Sequence, residues 1–379
     1  MTITIATWNL ENFQHPDDSS NNKRGKIYAK KLDYIENILI QKLKLPDIIG
    51  FQEILGTTQI SDAMEVGVGP QREIPKCLFD IEKRLKAHAP YTFHFSNYRS
   101  RGIRIALFTK LPVKMKEDGT ADIIIYDQLG PESHISLPWI ELCPSDPLLI
   151  RVYEFGDSKA WYENRGKFTR PPMCVRISKG DINLQVFIAH LKSKAPRYDF
   201  MQPYPNINGT NRTRHNNAQD PVEEARAKMR SLMIRAREAC QLRYFIQERM
   251  AEYPKDNAII MGDLSDDINA VTTQMLESTD YQSTPKTNRT QNTSMGKFFN
   301  LTSLIKPEKR FSHFYGNLKE QHDHILISEN LKQKLSNINS TSTDSQIFVF
   351  NEDIQKKSVV PEGYEYIPDH APLVAQIEI

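Results

Sequence analysis

Six places in the chain set an amide, a carboxylate or an imidazole at the end of an apolar run. Asn9 follows "ITIATW", Glu53 closes "DIIGFQE", His190 closes "LQVFIAH" and Asp263 closes "NAIIMGD". Asp323 opens "DHILIS", and Asp369 and His370 stand just before the apolar segment "APLVAQIEI". Taken singly, each would pass for a cap or a turn former. Taken together they are oxygen donors and two histidines with no cysteine among them, a set that suits a hard cation such as Mg²⁺ or Mn²⁺. Phosphate ester hydrolysis uses such a cation, with a base for water and an acid for the leaving oxygen. The stretch "GDLSDD" at 262–267 poses the question most sharply. It is a polar turn unless the fold brings the other residues to it.

The elements that would do so are legible. Apolar runs at 3–10, 47–53, 103–109, 184–190, 257–263 and 324–328 predict strands, several of them buried on both faces because they do not alternate. Leu32, Ile35, Ile38, Leu39 and Leu43 predict a helix closed by Pro46, and Leu78, Ile81 and Leu85 predict another before Pro90. The segment 222–250 predicts a long helix, acidic in its first turn, with an apolar stripe at Met229, Leu232, Met233, Ala236 and Cys240. Helices interleaved with strands predict an α/β architecture in which polar strand ends converge on one face. No internal repeat or Gly/Ser linker divides residues 1–379, which predicts a single domain with a long polar loop at about 195–221.

With 25% charged residues and a net charge of +2, the chain carries no global field that marks a nucleic-acid coat or a membrane binder. Basic character is local: "NKRGK" at 22–26, "RGKFTR" at 165–170, Lys192, Lys194, Arg197, and Arg212, Arg214 and His215. These clusters, with Phe168, Tyr198 and Phe200 interleaved, are candidates for a nucleic-acid backbone and its bases. The widely spaced Cys77, Cys143, Cys174 and Cys240 read as structural thiols. The N-terminus lacks a secretory pattern and no stretch approaches the roughly 18 apolar residues of a span, so the expectation is a cytoplasmic protein with no membrane partner.

The motifs "TWNLENF", "DIIGFQE", "RGIRIALF", "RPPMCVRI", "FIAHLKSKAP", "IIMGDLSDD", "HDHILIS" and "PDHAPLVAQIEI" run in the order, and at roughly the spacing, of the endonuclease/exonuclease/phosphatase superfamily. The chain resembles that superfamily, and within it bacterial nuclease-type members. The resemblance implies the DNase I-like fold, a four-layered α/β sandwich of two mixed sheets packed face to face with helices outside. It implies that Glu53 is the principal metal ligand, with Asn9 holding metal or phosphate and Asp369 helping. Asp263 would position or deprotonate the attacking water, His370 would act at the reacting phosphate with Asp323 as its carboxylate partner, and His190 would donate to phosphate oxygens. Arg170 matches a phosphate-contacting arginine, and Arg101 is a further candidate for phosphate.

One residue departs from the pattern. Ser265 stands where the superfamily places an asparagine, and a hydroxyl offers one proton where an amide offers two. Loss of one transition-state donor costs roughly 3–4 kcal/mol, so Ser265 bears on rate more than on fold, unless Asp266 or Asp267 compensates.

The leading expectation is a Mg²⁺- or Mn²⁺-dependent nuclease that hydrolyses DNA phosphodiesters without strong sequence specificity. The alternatives are a phosphoesterase on an inositol phosphate, lipid headgroup or nucleotide, and a catalytically weakened module that binds nucleic acid or a protein partner.

Overall fold

The computed structural model describes residues 1–18, 23–56, 75–96, 103–126, 168–196, 221–277, 296–315, 318–334, 347–352 and 366–378. Strand β1 (Thr2–Gln14) is followed by α1 (Lys23–Asn37), a π-helical turn (Ile38–Lys42), β2 (Ile48–Leu55), α2 (Lys76–Lys86), β3 (Thr92–Phe95) and β4 (Ile103–Thr109). Then come β5 (Ile123–Ile125), β6 (Met173–Lys179), β7 (Ile182–His190), α3 (Pro221–Glu252), β8 (Asn257–Asp263) and α4 (Val271–Glu277). The chain continues through β9 (Phe298–Asn300), β10 (His313–Tyr315), β11 (Leu318–Glu320), β12 (Asp323–Ser328), α5 (Glu329–Lys334), β13 (Ile347–Val349) and β14 (Leu373–Glu378).

Two sheets of six strands form, in the orders β13-β14-β1-β2-β4-β3 and β5-β6-β7-β8-β12-β9. Each has one parallel pair at its heart, β1 with β2 and β7 with β8, and the other pairings are antiparallel. Between the sheets lies an aliphatic core that includes Ile5, Ile105, Val186, Ile259, Ile325 and Leu373. Leu32, Ile35, Leu78 and Ile81 of the first two helices cover the outer face of the first sheet, beside Trp8 and Phe51. Ala239, Leu242 and Ile246 of α3, with Leu276 of α4, cover the second, beside Phe187 and Ile260. Helix, sheet, sheet, helix are the four layers expected. Central strands buried on both faces are why their sequences read as unbroken apolar runs. The sheets approach so closely that a Cβ at Gly50 would meet Met261 Cε at 2.9 Å.

Helix α3 departs from its predicted stripe. Met229 and Leu232 are exposed, while Ser231, Arg235, Glu238 and Gln241 are buried beside Ala239, Leu242 and Ile246. The helix turns a polar face inward because it anchors the chain that leaves β7. Glu238 accepts from the Thr169 and Lys192 backbone N–H groups, Arg235 Nη1 donates to the Lys192 carbonyl, and Ser231 Oγ donates to the Ala195 carbonyl. The short edge strands and the β10–β11 hairpin are too brief to stand out by pattern. Of the predicted 195–221 loop, residues 197–220 lie outside the described residues, as does Cys143. Cys77, Cys174 and Cys240 are free thiols, and burial pushes that of Cys174 up to about 12. Among the described residues no helix is long and apolar enough to cross a membrane.

Candidate active site

The register of the second sheet does the first part of the assembly. His190 pairs with Asp263 across β7 and β8, and Asp323 pairs with Asp263 across β12 and β8, so three site residues stand level on adjacent strands. Gly262 is required there: at φ +140°, its missing Cβ would fall 1.9 Å from the Ala189 carbonyl oxygen. This is the structural reason for the glycine of "GDLSDD".

The first sheet supplies its residues differently. Pairing of β1 with β2 is regular to Asn9 and Gln52, then shifts before resuming at Phe13 and Ile54. Glu11, Asn12 and Glu53 all take left-handed backbone at this irregularity, with φ of 49°, 51° and 60°. Such bulges re-aim side chains, and here the Asn12 N–H donates to Glu53 Oε2 at 2.9 Å and fixes the carboxylate. Glu53 Oε1 comes within 3.9 Å of His190 Nε2.

Asp263 is the hub. Its Oδ2 accepts from Asn9 Nδ2 at 3.0 Å and lies 3.4 Å from His190 Nε2 and 3.8 Å from His370 Nε2. Its Oδ1 accepts from the Ser265 backbone N–H at 2.7 Å. Burial opposes its charge, but the His370 and His190 rings and the Asn9 amide hold Asp263 well below the usual carboxylate range. His370 Nδ1 meets Asp323 Oδ2 at 2.7 Å. Burial would lower His370, yet Asp323 and Asp263 together raise it to about 10. His190 goes the other way, pushed well below its usual value by burial and by the Arg170 cation. One ring is therefore cationic and the other neutral at pH 7, on either side of one carboxylate.

Ser265 is buried and left-handed, at φ 55°. Its hydroxyl lies 3.0 Å from Asp263 Oδ1 and 3.1 Å from the Leu191 carbonyl, so its single proton serves one of them at a time. It grips the carboxylate. Asp266 does not stand in for the missing amide, because Arg235 Nε and Thr272 Oγ1 donate to its Oδ2 at 2.9 and 2.7 Å. Arg170 Nη1 donates to the Leu191 carbonyl at 2.7 Å, which places the guanidinium beside the β7 end of the site. Asp369 donates its backbone N–H to Glu11 Oε2 at 3.1 Å, and its carboxylate lies 3.7 Å from His313 Nε2. Arg101 lies outside the described residues.

Two expectations about the basic surface are corrected. Lys194 is ion-paired with Glu320 at 2.5 Å and Asp266 at 3.4 Å, and Lys192 Nζ donates to the Ser193 and Ala195 carbonyls, so both stiffen the loop after β7. Phe168 is buried in the core beneath α3, packing where a base-stacking role had been open. Arg197, Tyr198, Phe200, Arg212, Arg214 and His215 lie outside the described residues.

Glu11 stands two residues after Asn9 and belongs with it among the polar strand-end residues; two residues at the site, His313 and His322, were not singled out by their sequence. For His322, "HDH" at 322–324 was a local signal. His313 had none, for only the β10–β11 hairpin and a bridge between His313 and His370 bring it in.

No family model matches the chain, and no curated protein does. Among solved structures, the chain is similar to truncated Caenorhabditis elegans TDP2 at 12% identity and a TM-score of 0.48, covering 100% of this chain and 98% of that one. A Leptotrichia buccalis endonuclease/exonuclease/phosphatase family protein aligns at 13% identity and a TM-score of 0.49, covering 100% of both chains. The human Nocturnin catalytic domain aligns at 13% and 0.49, covering 100% of this chain and 94% of that one. These alignments lie at low identity, and the chemistry of the site is set by the side chains of this chain.

Proposed function

We propose that the protein is a divalent-metal-dependent phosphodiesterase that hydrolyses nucleic acid, with DNA as its substrate, by in-line attack of water. The observation that carries this reading is the charge pattern around Asp263: an anionic carboxylate between a cationic His370 and a neutral His190. Asp263 Oδ2 is the base that orients or takes the proton of the attacking water. Its contacts to Asn9 and Ser265 fix its plane. His370, kept protonated by Asp323, neutralises the charge that develops at phosphorus and holds a proton for the leaving oxygen. With His190 neutral, the proton on Nε2, which faces Asp263 and Glu53, makes it a hydrogen-bond donor without a competing charge. Arg170 adds a fixed positive charge at the same end.

On the β1–β2 side Glu53, Glu11 and Asn9 Oδ1, which also accepts from the Glu11 backbone N–H at 2.9 Å, are oxygen donors with no sulfur among them, a donor chemistry that fits a hard cation. Glu53 and Asn9 would hold Mg²⁺ or Mn²⁺, with Asp369 beside them. Such a cation, when bound, supplies charge neutralisation at the phosphate.

Purified protein incubated with supercoiled plasmid, labelled DNA and RNA strands, and small phosphate esters, in Mg²⁺, Mn²⁺ or EDTA, tests the proposal. Metal-dependent cutting of DNA that His370→Ala abolishes is expected. Turnover of small esters with no cutting of strands would overturn the substrate, and no turnover of any of them would overturn the activity.

A further inference from the structure

Beside the site lies a cluster that shares only His370 with the hydrolytic scheme. His313 opens β10, His322 precedes β12 and His370 precedes β14, and one ring nitrogen from each lies within 4.8 Å of the others. The rings are layered, with centroids 4.4 Å apart for His313 and His370 and 4.9 Å for His313 and His322. Each ring has one nitrogen turned to a carboxylate: His370 Nδ1 to Asp323 at 2.7 Å, His322 Nε2 to Glu320 at 2.7 Å, and His313 Nε2 to Asp369 at 3.7 Å. That arrangement is the outer shell of histidine metal ligands, in which a carboxylate fixes one nitrogen and leaves the other to the ion. For His313 the other nitrogen, Nδ1, is buried and has no hydrogen-bond partner. A buried ring nitrogen without a protein partner is open to a metal ion or a water.

We propose that His313, His322 and His370 form a second metal site, selective for a borderline-soft divalent ion such as Zn²⁺, and that its occupancy switches hydrolysis off. Three imidazoles suit Zn²⁺ far better than Mg²⁺, which takes oxygen, so this site and the Glu53 side sort the two kinds of ion by donor type. Zn–N bonds of about 2.0–2.1 Å require the ring nitrogens to draw together and the layered rings to turn until their planes converge on the ion. Metal entry displaces to solvent the proton that His370 carries. Asp263 Oδ2, 3.8 Å from His370 Nε2, stands where it can join the same ion. A Zn²⁺ ion held there takes the leaving-group acid and the adjacent carboxylate out of use together.

The inhibitory half rests on the phosphodiesterase reading, whereas binding does not, and the test separates them. The full-length protein is titrated with Co²⁺, whose visible absorption reports nitrogen ligation, and then with Zn²⁺ in competition, both in excess Mg²⁺. One equivalent is expected to bind, and His313→Gln and His322→Gln should each weaken it at least tenfold. Glu320→Gln, which keeps all three rings, should weaken it less and covers the case in which a ring variant does not fold. Absence of a bound equivalent, or variants that bind like the wild type, overturns the site. Hydrolysis in Mg²⁺ is then followed as Zn²⁺ is added, each variant being compared with its own rate without Zn²⁺. Suppression of the wild type that is relieved in His322→Gln is expected, and binding without suppression overturns the switch. A protein that hydrolyses nothing overturns the proposed activity and leaves the binding result standing.

Discussion

The two edges of the site are built by opposite means. On the β7–β8–β12 side, His190, Asp263 and Asp323 stand level in one row across three regularly paired strands, and their positions follow from register alone. On the β1–β2 side the ladder breaks, and Glu11, Asn12 and Glu53 sit in left-handed backbone. Register places an atom to a fraction of an ångström, as transfer of a proton demands. A bulge costs stability, yet it turns a side chain off the alternating pattern, here the Glu53 carboxylate proposed as a cation ligand. On the proposed reading the base, Asp263, stands on the regular edge and the cation ligand Glu53 on the irregular one, while the acid His370 is brought in from just before β14 of the first sheet.

The sharpest way to break this comparison is to neutralise the hub. Asp263→Asn keeps the shape and removes the charge, so kcat is expected to fall about 10³-fold with the fold intact by circular dichroism. Gly262→Ala attacks the ladder itself: with Ala189 oxygen 1.9 Å from the new Cβ, destabilisation of about 3 kcal/mol or more is expected in denaturant melts. On the irregular edge, Glu53→Gln should lower activity about 10–100-fold at fixed Mg²⁺, and added metal should recover part of the loss, which it cannot do for Asp263→Asn. Ser265→Ala removes one of two donors to Asp263 Oδ1 while the backbone N–H remains, so a loss below about tenfold is expected. The smallest effect is on acid stability. The His322 hydrogen bond and the Lys194 ion pair hold Glu320 down to about 2 against burial, so its contribution is full above its ordinary value of 4.5 and fades as pH falls toward 2. Melting temperatures of Glu320→Gln should therefore decline less steeply than those of the wild type across that window.

Much of this was legible in the sequence for a simple reason. Where a site residue ends a strand buried on both faces, as His190 and Asp263 do, the apolar run announces the strand and the polar residue its end. Contacts made across the fold left no such mark. His313 reaches His370 only through the hairpin, and the inward polar face of α3 exists because it holds the loop after β7. A helical stripe computed from apolar residues alone could not find Arg235 and Glu238, which are buried for their hydrogen bonds. Ser265 looked like a missing substrate donor, and its position shows a grip on Asp263 instead.

The pairing of β1 with β14 bears on how the protein is made. Trp8 Nε1 donates to the His370 carbonyl across 362 positions of sequence, and every rung from Thr2 to Thr7 is matched by one between Leu373 and Glu378. During synthesis, β1 leaves the ribosome early and waits with one edge unpaired until β14 follows. Until then neither His370 nor its hold on Asp263 exists. A nascent or prematurely terminated chain thus lacks the proposed acid, and β1 keeps an open strand edge until β14 pairs with it.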